Sequence, residues 1–137
     1  MTPEEIIAHL DLAPHPEGGH YRQTWIAGNE GRPTGTCIYF LLRAGERSDW
    51  HRVDATEIWH FHAGDPLQLE LAESESGPAR THLLTGDLRQ GMPQIIVPQD
   101  HWQRAASTGA YTLVSCTVSP GFRFEGFELR PDLEIPR

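Results

Sequence analysis

Along most of the chain, apolar and polar positions alternate with a period of two, and glycine or proline breaks the pattern at short intervals. Leu67, Leu69 and Leu71 separated by Gln68 and Glu70 are the clearest case, the signature of a strand with one buried face. Similar runs predict strands over 20–25, 36–43, 58–63, 67–72, 80–84, 94–97, 102–106, 111–118 and 122–129. Turn residues such as Ala44-Gly45, Gly64-Asp65-Pro66, Gly86-Asp87 and Pro120-Gly121 separate them. So many short strands predict a sandwich, jelly roll or barrel. One helix is expected, at the start. Thr2 can cap it, Pro3 suits the first helical position, and Glu5 closes a capping box. Ile6, Ile7 and Leu10 would form its apolar face, and Pro14 and Pro16 end it.

Composition narrows the picture in a few places. The 137 residues suit one domain spanning 1–137, and 38% hydrophobic content fills a small barrel rather than a large α/β core. A formal charge of −8 with scattered basic residues argues against nucleic acid as a partner. No apolar run approaches the roughly 20 residues a membrane helix needs. Nor does a basic stretch followed by an apolar one open the chain, so a cytoplasmic protein is expected. Cys37 and Cys116 each sit in an apolar run, far apart and outside any Cys-x-x-Cys pair. They read as small buried hydrophobes rather than as a disulfide or a zinc site.

Candidate chemistry concentrates in 48–64, where His51, His60, His62, Glu57, Trp50 and Trp59 fall close together. Gly18-Gly19 permits a tight turn or a close backbone approach, and Tyr21 and Arg22 follow it. Tyr21 is a candidate general acid and Arg22 a candidate anion clamp, although strand alternation turns only one of them inward. Phe122 and Phe124 read as core, and Gly126 interrupts the alternation before Phe127 and Leu129.

Two spaced motifs resemble those of the cupin superfamily. In the first, His51 is followed by Val53 where a second histidine would stand, then by Glu57 after three residues and Gly64 after six more. In the second, Gly91 and Pro98 lead to Gln103 at the position of a histidine. Pro16-Glu17-Gly18-Gly19-His20-Tyr21, Trp50-His51-Arg52-Val53, the stretch from Glu57 to Asp65, and Pro120-Gly121-Phe122 extend the match. Together they resemble one branch, the small single-domain cupins grouped as a family of unknown function and likened to deoxysugar epimerases. The resemblance implies an all-β double-stranded β-helix, a cupin jelly-roll barrel with one short N-terminal helix and a ligand pocket in its lumen.

A mononuclear cupin site normally takes three histidines and a glutamate. By that pattern only His51 and Glu57 remain as strong ligands, since valine has no donor atom and an amide oxygen is a weak one. The expectation is no required cofactor and at most weak divalent-metal binding at His51 and Glu57. If Glu57 points inward, as the motif implies, Trp59 and Phe61 share its face, while Ile58, His60 and His62 face out.

Two functions fit. One is a metal-independent isomerase or epimerase acting on a small polar, carbohydrate-like molecule, with His51 as base, Glu57 orienting it and Tyr21 as acid. Gln103, Trp59, Phe61, His60 and Arg22 are the candidate ligand contacts. The other is a binding barrel without turnover. A metal-dependent oxygenase is disfavoured by Val53. A two-fold homodimer using strands near the N-terminus is expected, because small cupins expose sheet edges.

Overall fold

Thr2 accepts from the Glu5 backbone N–H while the Glu5 carboxylate accepts from the Thr2 N–H, and this reciprocal cap starts helix α1 (Pro3–Leu10) in the computed structural model. The structure describes residues 1–28 and 30–137. After α1 come β1 (Ala13–Pro14), β2 (His20–Ala27), β3 (Gly35–Arg43), β4 (Arg47–Val53), β5 (Thr56–Gly64) and β6 (Leu67–Ala72). Then follow β7 (Arg80–Leu84), β8 (Gln94–Val97), β9 (Trp102–Ser107), β10 (Tyr111–Ser119) and β11 (Phe127–Leu129).

Two sheets result, a six-stranded one in the order β1-β2-β3-β10-β5-β8 and a five-stranded one in the order β11-β4-β9-β6-β7. Each ladder between named strands is antiparallel, and the sheets face each other as the jelly-roll barrel expected. Phe40, Leu42, Trp59, Leu69, Leu84 and Val114 fill the space between them at one end. Ile6 of α1 and Leu12 cover Leu41 on the outer face of the large sheet. At the other end the lumen stays open. Among the described residues, no helix is long and apolar enough to cross a membrane.

Two elements depart from expectation. Strand β4 carries Arg47, Asp49 and Arg52 among its residues and has no clean alternation. Its pairing with β9 shifts register between Ser48 and His51, so Trp50 and His51 are buried in succession. Residues 122–129 are not one strand: Phe124–Gly126 form a 3-10 turn and only Phe127–Leu129 pair, with β4. Gly126 lies against Asp54, where a Cβ would meet the carboxylate at 2.1 Å. That carboxylate is held by Arg32 and Arg123.

Candidate functional site

The open end of the barrel holds a cavity of about 150 Å³ between the sheets. His51 of β4, Glu57 of β5 and Glu17 from the loop before β2 form its polar end. The loop reaches β4 because Gly18 and Gly19 take φ of +111° and +74°. At Gly18 a Cβ would stand 2.0 Å from the Arg47 carbonyl oxygen, so only glycine allows this approach. The Asp49 N–H then donates to the Glu17 carbonyl at 2.9 Å and fixes the loop against the strand.

Both nitrogens of His51 are engaged. Nε2 lies 2.8 Å from the Glu17 carboxylate and Nδ1 lies 2.8 Å from the Asp49 carbonyl. Two acceptors demand two N–H donors, which is the imidazolium form. Burial works against that charge, but the Glu17 carboxylate, its hydrogen bond, Glu57 and the Asp49 carbonyl outweigh it and raise the His51 pKa to about 9. Burial pushes the Glu17 carboxyl up, yet the attached His51 charge and hydrogen bond hold it below the usual carboxylate value. His15, whose Nδ1 accepts from the Glu17 N–H at 3.1 Å, is lowered chiefly by burial.

Glu57 has no such partner. It accepts from the Gln103 amide at 2.8 Å, and the Gln103 carbonyl oxygen accepts from the Trp59 indole N–H at 2.8 Å. Burial raises its pKa to about 7 against the pull of His51 and the Gln103 hydrogen bond. The cavity thus presents an imidazolium–carboxylate pair beside a carboxyl that titrates near neutrality. Cys116 of β10 lines the same end, and burial together with Glu57 pushes its thiol well above the ordinary value. It stays a thiol there.

Of the residues singled out from sequence, His51, Glu57 and Tyr21 line the cavity. His51 holds its proton near neutral pH, while the Glu57 carboxyl loses its own there. Gln103 stands opposite His51 in the β4–β9 ladder, fully buried. Its amide donates to Glu57 and accepts from the Trp59 indole. Trp59 lies beneath it in the core, and Phe61 packs against that core away from the cavity lining. His60 faces the outside, with Thr117 Oγ1 at 3.2 Å, and His62 likewise bonds to Ser115. Arg22 is exposed over the Tyr39 ring. These last residues do not reach the lumen.

Glu17 and the aromatic wall of Phe122, Phe124 and Phe127 were missed as site residues. Glu17 stood inside a matching motif, but its partner lies on another strand and no local period connects them. The phenylalanines looked like core because three apolar rings in an alternating run usually are.

Metal ligation of the superfamily kind does not fit these residues. Val53 offers no donor, the Gln103 oxygen is taken by Trp59, and His51 Nε2 is committed to Glu17. Among the described residues, no group of three or more His, Cys, Asp or Glu side chains is placed to hold a metal ion.

The barrel, its two spaced motifs and its lumen define a cupin. Residues 4–130 match the family described as Cupin superfamily (DUF985), and the chain belongs to that family. It is similar to a hypothetical protein from Leishmania major at 32% identity and a TM-score of 0.87, covering 95% of this chain and 88% of that one. It is also similar to a protein from Shewanella oneidensis at 38% identity and a TM-score of 0.89, covering 95% and 85%. Oxalate decarboxylase from B. subtilis shares the fold at 12% identity and a TM-score of 0.66, covering 88% of this chain and 31% of that one. No curated protein matches.

Proposed function

We propose that the lumen binds one small polar molecule and that Glu57 exchanges a proton with it, in an isomerase- or epimerase-type reaction that needs no metal. The observation carrying this reading is a buried carboxyl facing the cavity with a pKa of about 7. A base with a pKa near the working pH combines availability with driving force. The carboxylate takes a proton from a carbon next to a carbonyl, and the electron pair moves onto the carbonyl oxygen. The acid so formed returns the proton to the former carbonyl carbon, while the adjacent hydroxyl passes its proton to the first oxygen and becomes the new carbonyl. Gln103 fixes the carboxyl, and the His51 charge favours the developing anion through space. Tyr21, Gln23 and Thr36 supply neutral polar contacts on the wall.

One observation favours binding without turnover: both His51 N–H groups are spent, so that ring has no donor left for an oxyanion. A thermal-shift screen of aldoses, hydroxy acids and amino alcohols, followed by proton NMR of the hits in deuterated water, separates the two. Turnover predicts loss of one C–H signal with the wild type and none with Glu57→Gln. A hit with no deuterium uptake leaves the binding reading alone. If no compound shifts the wild type, the lumen is not a ligand site for these classes.

A second copy of the chain is the proposed partner. Strand β1 pairs with β2 only at Tyr21 and His20, which leaves the far edge of β2 open. Trp25 and Ile26 on that stretch are 53% and 58% exposed, an edge of the kind association covers. Sedimentation should give twice the chain mass of 15.4 kDa. A single-chain mass at micromolar concentration rules the dimer out.

A further inference from the structure

We propose that the molecule bound in the lumen is a small organic cation, an alkylammonium group seated between the ring faces of Phe122, Phe124 and Phe127 and the carboxylate end of the cavity. This rests on the lumen being the ligand site and adds the charge of the ligand.

The chain contains no lysine, and all eleven of its cationic side chains are arginines. Among the described residues, none of these arginines lines the cavity. Three of them are held in ion pairs: Arg32 and Arg123 with Asp54, and Arg52 with Glu128. His51 is the cation inside, and its two N–H groups are directed at Glu17 and the Asp49 carbonyl. An anionic ligand would therefore meet two carboxyl groups and no free cationic donor. Its desolvation would go uncompensated.

The adjoining wall is aromatic, and Phe127 in it stands 5.6 Å from the His51 ring. The Phe122 and Phe124 rings stand 5.0 Å apart at 87°, Phe124 and Phe127 6.1 Å apart at 85°, and Phe122 and Phe127 5.7 Å apart at 61°. All three rings line the cavity, so a group in it meets more than one of them. Ring faces carry negative potential and attract cations within about 6 Å. Phe124 is 55% exposed and packs against the other two rings. A quaternary or protonated amine would place its charge against these faces and beside Glu57, the one lumen carboxyl that lacks a partner cation of its own.

The test compares tetramethylammonium, its uncharged isostere tert-butanol and the anion pivalate, each titrated into the full chain at pH 8 and followed by amide NMR shifts. Tetramethylammonium should bind at least about tenfold more tightly than tert-butanol, in line with a desolvated cation–ring contact. Pivalate should not bind. Phe124→Leu keeps an apolar side chain on an exposed turn but removes the ring, and should weaken tetramethylammonium by about fivefold to tenfold and tert-butanol by less than about twofold. Equal binding of tert-butanol in the lumen overturns the charge assignment and leaves the ligand site standing. Saturable pivalate binding, or the absence of saturable tetramethylammonium binding, also overturns the assignment. An unchanged affinity in Phe124→Leu removes the aromatic wall from it.

Discussion

Replacing Glu17 by alanine should destabilise the protein by about 3–5 kcal/mol at neutral pH, the usual cost of removing one member of a buried ion pair. The carboxylate is the principal support of a charged histidine that is itself buried, at 2.8 Å. Without it, His51 either remains an uncompensated buried cation or gives up its Nε2 proton, and only the Nδ1–H bond to the Asp49 carbonyl survives. Glu17→Gln keeps a hydrogen-bond acceptor for Nε2 and should lose less. Urea denaturation of the two variants beside the wild type reads the difference. A Glu17→Ala loss within about 0.5 kcal/mol, as for an ordinary surface change, would mean that the pair contributes nothing to the fold.

Glu57→Gln is expected to act in the opposite direction, raising stability at pH 8 by about 2–3 kcal/mol. The folded-state pKa of Glu57 is raised from 4.5 to about 7, so the fold prefers the protonated acid. The stability this gives is fully present below pH 4.5 and is lost as the pH rises to about 7. Glutamine resembles the protonated form and avoids that loss. His51, raised from 6.5 to about 9, adds stability that is complete below pH 6.5 and lost as the pH passes about 9. That second decline should persist in Glu57→Gln. Glu17, held below its ordinary value, contributes above pH 4.5 and loses its contribution as the pH falls through the depressed value. Urea midpoints measured from pH 4 to pH 10 should therefore coincide for wild type and Glu57→Gln at the acid end, diverge between about pH 4.5 and 7, and stay a constant distance apart above that. Curves that stay parallel throughout would show that Glu57 ionises as freely folded as unfolded.

Where local chemistry dictates structure, the chain could be read directly. The Thr2–Glu5 cap marked α1, and the Leu67–Leu71 alternation marked β6. Parity with Glu57 agreed with the outward turn of His60 and His62, but it did not decide it, and His60 also read as a ligand contact. Strand β4 could not be read this way, because its register shift buries Trp50 and His51 one after the other and destroys the period of two. The Gly18-Gly19 pair signalled a close approach but not its target, the Arg47 carbonyl. The meeting of Glu17 and His51 depends on that target, and no spacing rule contains it. The same holds for Gly126, whose bare Cα makes room for the Asp54 carboxylate and turns 124–126 out of the strand. Gln103 was recognisable by its place in a motif, yet its task depended on the Trp59 indole beneath it, a contact across 44 residues.

That contact gives the molecule an optical property. The indole donates to an amide oxygen whose nitrogen end donates to Glu57, so the ring is one bond network away from the lumen. Withdrawing a proton from the carboxyl polarises the amide and changes the field across the indole. Trp59 is shielded from solvent, so its emission should shift as Glu57 ionises, a change read with the exposed Trp25 replaced by phenylalanine.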